Sequence, residues 1–212
     1  MKISKKRLVL IALFVFPLLF FLILSTGINN FKRLPVLTHQ TDLNQIEEVI
    51  SMQNHITVLC FLGKNLEVKK GGVFNLNQKI YKEFYGYKPF QMVAVYPETS
   101  EQDVLSLRSD LRAFTDMSKW NFIPIGEESI IQLHHHLKTD FPLDSSLYSK
   151  RAYLIDKNLR LRGRDDDDAG KLFGYNIESV AELSNKMEDD IKVLLYEYRA
   201  ALKNTMKAKR KN

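Results

Sequence analysis

Arg151-Ala152-Tyr153-Leu154-Ile155-Asp156-Lys157-Asn158-Leu159-Arg160-Leu161-Arg162 is the stretch whose reading decides the fold. Residues 151–156 form a short apolar strand. Lys157-Asn158 reads as a two-residue turn, and Leu159 to Arg162 returns as the hairpin partner. One long helix follows, with Asn176 as its expected cap. Its apolar residues Val180, Leu183, Met187, Ile191, Leu194, Leu195, Tyr198 and Leu202 recur at spacings of three and four, which is one stripe.

Working back toward the N-terminus, strands alternate with helices. Ile56–Leu62 is a β-branched apolar run ended by Gly63, the first core strand. Gly71-Gly72 breaks the next loop, and Asn75 with Gln78 resembles a capping pair for a helix to about Tyr85. Phe90–Tyr96 is a second strand, and Ser100 with Asp103 opens a second helix. Trp120–Ile125 is a third strand, and Glu127–Leu137 a third helix. Before them, Asp42–Met52 has helical spacing, and residues 31–41 read as linker. Alternation of this kind predicts an α/β domain with a mostly parallel sheet and helices on both faces. A closing hairpin followed by one helix is the ending of a thioredoxin-like fold.

Specific residues extend this reading. Trp120-Asn121-Phe122-Ile123-Pro124-Ile125-Gly126, then Glu127-Glu128 opening a helix, resembles the W-x-F-x-x-G segment of the Sco/SenC family. So do Val95-Tyr96-Pro97-Glu98 before a helix, and Tyr153-Leu154-Ile155-Asp156 with Leu161-Arg162-Gly163. The likeness covers roughly residues 56–200. It implies a membrane-anchored thioredoxin-fold protein of the periplasm or mitochondrial intermembrane space that helps deliver copper to cytochrome c oxidase. The family's CxxxC copper ligands follow the first core strand, where this chain has Gly63 to Lys70. Asn65 and Lys69 match the two cysteines there, and Tyr148 matches the copper histidine. None is a soft ligand of the kind Cu(I) prefers. The resemblance therefore implies a degenerate member without metal site or cofactor.

The ends of the chain differ from its middle. Of the net charge of +6, residues 1–30 carry +4 and residues 203–212 carry +5, which leaves −3 on the body. A mildly acidic body argues against a nucleic-acid-binding face. Leu8–Leu24 is an uncharged apolar run containing Pro17, preceded by Lys2, Lys5, Lys6 and Arg7. It predicts one transmembrane helix with the N-terminus cytoplasmic and the domain on the periplasmic side. A cleaved signal peptide is the alternative, and Ser25-Thr26-Gly27 is a poor cleavage site for it. The expected divisions are a basic stub and anchor (1–30), a linker and helix (31–55), the Sco-like domain (56–202) and a basic tail (203–212).

Three further features invite chemistry. Cys60 is the single cysteine, which excludes an internal disulfide, and its place in an apolar strand suits a buried hydrophobe. His134-His135-His136 suggests imidazole ligands, but consecutive helical residues point about 100° apart. A partly exposed helix face is the plainer reading. Asp165-Asp166-Asp167-Asp168 offers hard oxygen ligands without EF-hand spacing. It reads as a solvated acidic loop partly neutralised by Arg162, Arg164 and Lys171, or as a docking surface for a basic partner. No hydrolase triad, phosphate loop or HExxH motif is present. The expectation is a non-enzymatic envelope binding or assembly module, held in the membrane and bound to an envelope protein. By family analogy its setting is respiratory-complex assembly. The alternatives are a metal chaperone with unconventional ligands such as Cys60 and the histidines, or a structural protein docking its last helix and tail on the membrane.

Overall fold

In the computed structural model of the chain, residues 5–25, 33–39, 41–167 and 170–209 are described. The chain divides into two compact units, residues 1–32 and 33–212. The first holds one helix, α1 (Lys5–Ser25), with Pro17 inside it. Its apolar side chains stand in the open, Phe14, Phe16 and Phe21 among them. The uncharged run spans about 25 Å against a hydrocarbon core of about 30 Å. Among the described residues no helix is long and apolar enough to cross a membrane.

The second unit is built on a seven-stranded sheet. Its strands are β1 (Val36–Thr38), β2 (Ile56–Leu62), β3 (Phe90–Pro97), β4 (Trp120–Ile125), β5 (Tyr148–Ile155), β6 (Leu161–Arg162) and β9 (Tyr175–Asn176). The order is β1-β6-β5-β2-β3-β4, and β9 also pairs with β5. Every residue of β2 and β3 is buried. This is why both read as nearly continuous apolar runs rather than alternating ones; the polar exceptions Thr57 and Gln91 bond each other at 3.0 Å. Helices cover both faces. On one lie α3 (Lys70–Leu76), α4 (Lys82–Phe84), α5 (Glu101–Arg112), α7 (Val180–Glu182) and α8 (Glu188–Lys209), around a core that includes Val58, Ile80, Leu107, Trp120 and Ile191. On the other lie α2 (Asn44–Glu47) and α6 (Glu127–His136), around Leu59, Phe61, Val93, Ile130 and Tyr153. Among the described residues, both cores draw on residues 34–195.

The order β3-β2-β5-β6, with β5 reversed and a final helix, is the thioredoxin-like arrangement. The sheet is mixed, not mostly parallel. Only β2–β3 and β3–β4 are parallel, while β5, β6, β1 and β9 join antiparallel. Alternating strands and helices reveal parallel pairing only where a helix crosses over. The chain leaves β4 at one edge and enters β5 beside β2, and nothing local fixes that direction.

Several expected elements differ. The expected linker contains β1, an edge strand paired with β6. The expected helix over 42–52 is only α2, one turn long. Gly71-Gly72 does not break a loop but lies in the first turn of α3, which continues through a π-helical stretch (Asn77–Tyr81) into α4. A Cβ at Gly72 would lie 2.7 Å from Ile177 Cγ1 and 3.3 Å from the Tyr148 hydroxyl, so the glycine permits close packing. The hairpin turn is longer than two residues. Asp156 Oδ1 accepts from the backbone N–H of Asn158 and Arg160, and Leu159 has φ of 59°. Asn176 sits in β9, and Ser179 is the cap instead, its hydroxyl accepting from Glu182 N. A second π-helical stretch (Leu183–Met187) links α7 to α8.

The acidic run is not a loop. Asp165, Asp166 and Asp167 lie in β7 (Arg164–Asp167), which pairs with β8 (Gly170–Leu172), while Asp168 lies outside the described residues. Arg164 still acts on Asp167 through charge, but its main partner is Asp190. Arg164 reaches Asp190 at 2.8 Å. Arg162 is buried among Asp156, Glu197 and the carbonyl of Leu34. Lys186 instead holds Asp167, with 2.7 Å to each oxygen.

Candidate functional site

The loop after β2 is pinned to the approach to β5. Gly63 has φ of +62°, and a Cβ there would lie 2.5 Å from Tyr148 N, 2.6 Å from Ser146 O and 2.8 Å from Leu147 C. No L side chain fits, because all three obstacles are backbone atoms. Lys64 N donates to Ser146 O at 2.7 Å. The Lys64 ammonium pairs with Glu127 at the start of α6 at 2.6 Å. Asn65 is exposed and left-handed (φ 60°), and it starts a 3-10 turn, Leu66–Val68. Leu66 plugs the core, while Val68 at the tip is 86% exposed.

Lys69 closes the arrangement. Its ammonium donates to Asp144 Oδ2 at 2.8 Å and to Ser146 Oγ, and lies 4.7 Å from the centre of the Tyr148 ring. Asp144 Oδ1 in turn accepts from Ser146 N at 2.8 Å, Ser146 Oγ at 2.6 Å and Tyr148 N at 3.0 Å. Burial raises the Asp144 carboxyl, but the bonds from Lys69, Ser146 and the backbone outweigh it and hold the group well below the usual carboxylate range. The Tyr148 hydroxyl points inward and has no hydrogen-bond partner among the described residues. Burial pushes that phenol up.

Lys69 and Tyr148, two of the positions that the Sco/SenC resemblance matches to copper ligands, are thus in contact, and Asn65 stands apart in solvent. The donor set does not fit copper. A paired ammonium has no lone pair to give, and the phenol is turned into the core. Asp144 and Ser146 were not expected at this site. The signal was available, since Asp-x-Ser favours a turn in which the aspartate caps following N–H groups.

The other candidates disperse. His134 is buried, with Nε2 3.1 Å from the Tyr153 hydroxyl and its ring edge-on to Phe61. Burial, with a smaller contribution from His135, lowers it to about 4. His135 is exposed, and His136 Nδ1 lies 3.3 Å from Asp42 O. His134 and His135 line a cleft of about 660 Å³ with Ile131, Lys138, Leu143 and Leu147. Cys60 is fully buried, its thiol directed at Val93 O at 3.6 Å and pushed up to about 12 by burial. Among the described residues no three histidines, cysteines or carboxylates are placed to hold a metal ion.

No family model matches the chain, and neither does any curated protein. Among solved structures it is similar to a putative protein disulfide isomerase from Bacteroides thetaiotaomicron, at 12% identity over 72% of this chain and 81% of that one, TM-score 0.48. It is similar to BsSco, a member of the Sco family of cytochrome c oxidase assembly proteins, at 13% identity over 79% and 96%, TM-score 0.47. It is also similar to a SCO1/SenC family lipoprotein from Bacillus anthracis, at 17% identity over 70% and 82%, TM-score 0.43. Sco-family proteins and thioredoxin-like oxidoreductases are thus both among its structural neighbours.

Proposed function

We propose that this chain is a Sco-like, thioredoxin-fold binding module that has exchanged metal and thiol chemistry for a fixed contact surface. One observation carries the reading. At the positions matched to the family's ligands, Lys69 is bound to Asp144 and Ser146 over the Tyr148 ring. The single thiol supports it, being buried and hard to ionise. In this reading the clamp holds the exposed Val68 tip in one geometry for an envelope protein, and the chain is not an enzyme. Its setting, by family analogy, is assembly of a respiratory complex such as cytochrome c oxidase. The open apolar side chains of α1, and Lys2, Lys5, Lys6 and Arg7 ahead of its apolar run, favour a membrane tether with the body on the periplasmic side.

Copper competition on residues 33–212 tests the central claim. The expected result is Cu(I) held no more tightly than by a surface imidazole, with no thiol-dependent reductase turnover. Tight one-to-one binding lost in Cys60→Ser or on replacing His134, His135 and His136 would move the reading to an unconventional metal chaperone. For the tether, alkaline extraction of the full chain should leave it in the membrane pellet.

A further inference from the structure

The cleft beside His134 carries two opposite charges that are not spent on the protein itself. Its volume of about 660 Å³ falls within the roughly 300–1,000 Å³ of small-molecule sites. Ile131 from α6, with Leu143 and Leu147 from the connection to β5, supplies apolar lining. Two of its neutral polar groups are already engaged. His134 Nε2 lies 3.1 Å from the Tyr153 hydroxyl, and Thr139 Oγ1 accepts from Phe141 N at 3.3 Å. Asp144 lines the cleft too, but its carboxylate is held by Lys69 and Ser146. Lys138 and Asp140 remain. Both are exposed lining residues, and neither side chain has an ion-pair or hydrogen-bond partner among the described residues.

The backbone sets this connection apart. Lys138 (φ 53°) and Leu147 (φ 65°) are both left-handed, a conformation that glycine adopts freely and other residues adopt at a cost. Lys138 follows Leu137, the C-cap of α6, where glycine is the usual residue. Backbone held in this region clusters at ligand clamps. Although Lys138 and Asp140 stand two residues apart with opposite charge, they do not pair with each other, whereas Asp144 in the same connection is paired with Lys69 at 2.8 Å.

We propose that this cleft binds a free α-amino acid with an aliphatic side chain, its carboxylate at Lys138, its ammonium at Asp140 and its side chain against Ile131, Leu143 and Leu147. A small zwitterion answers both charges and the apolar lining together. A simple anion would meet Asp140 with its own sign, and a simple cation would do the same with Lys138. A peptide carries these two charges only at opposite ends. The inference goes beyond the contact-surface reading and does not rest on it.

The test is NMR of the full chain, methyl-labelled at isoleucine and leucine and held in a nonionic detergent, titrated with L-leucine. The methyl resonances of Ile131, Leu143 and Leu147 should shift and saturate. Isocaproate, which lacks the ammonium, and isoamylamine, which lacks the carboxylate, should each bind roughly fivefold more weakly. Lys138→Met should weaken leucine by about the same factor and leave isoamylamine unaffected, and Asp140→Asn should weaken leucine and leave isocaproate unaffected. Both residues are exposed, so methyl resonances away from the cleft should stay in place. No saturable shift, equal binding of either truncated analogue or of N-acetyl-leucine amide, or unaffected variants would each overturn the proposal. Copper competition decides the contact-surface reading separately, so the two fail independently.

Discussion

Replacing Arg162 by methionine removes a cation from a closed setting. The guanidinium side chain is 4% exposed and the Asp156 carboxylate 5%. Arg162 bonds Asp156 at 2.9 Å, both Glu197 oxygens at 3.0 Å, and the Leu34 carbonyl. Removing one partner of a buried pair costs about 3–5 kcal/mol, because the remaining charge stays desolvated. Arg160 keeps two bonds to the same Asp156 oxygen, at 2.9 and 2.7 Å. The expected loss is therefore at the low end, about 3 kcal/mol, or a fall in Tm of roughly 6–12 °C for a body of this size. The sign with pH is also fixed. Burial raises the Asp156 carboxyl, and the bonds from Arg160 and Arg162 bring it below its ordinary value. Its contribution is present above about pH 4 and lost as pH falls through the folded value. Urea unfolding of residues 33–212, followed by circular dichroism, should show a gap of about 3 kcal/mol between wild type and variant at neutral pH that shrinks in acid. A gap under about 1 kcal/mol, or one that persists undiminished below about pH 3, would refute the reasoning.

Gly63→Ala should cost about 2–4 kcal/mol, from a left-handed alanine and a methyl group driven into backbone, and it should loosen the Lys69–Asp144 contact in NMR spectra. A fully stable variant with unshifted resonances would mean that the two loops are not clamped. His134→Phe should flatten the pH dependence of stability between the ordinary histidine value near 6.5 and the folded value of about 4. There the unfolded chain takes up a proton that the buried ring refuses, so wild-type stability falls as pH falls, by at most about 1.4 kcal/mol per pH unit. Identical slopes in the two proteins would place the titration elsewhere.

Much of the fold was legible because its cause is local. Runs such as Ile56–Leu62 and Phe90–Tyr96 are apolar except at Thr57 and Gln91, which bond each other, and strands buried on both faces demand that. The stripe from Val180 onward repeats at helical spacing, and the closing hairpin followed by that helix was enough to indicate a thioredoxin-like ending. Composition alone also settled that no internal disulfide forms, and the order of charges along the chain separated two basic ends from an acidic body. What the sequence could not hold was anything set by distant partners. The direction of β5 depends on which neighbour it joins after an eleven-residue connection. Asp165 to Asp167 read as a free acidic loop until pairing with β8 and the Lys186 ammonium made Asp167 part of a hairpin. Arg162 looked like a counterion for its sequence neighbours, yet it serves Leu34 and Glu197, 128 and 35 residues away. The Lys69–Asp144 clamp joins residues 75 apart. Local propensity records what a residue can do with its own backbone, whereas ion pairs and strand order belong to whichever surfaces the core brings together.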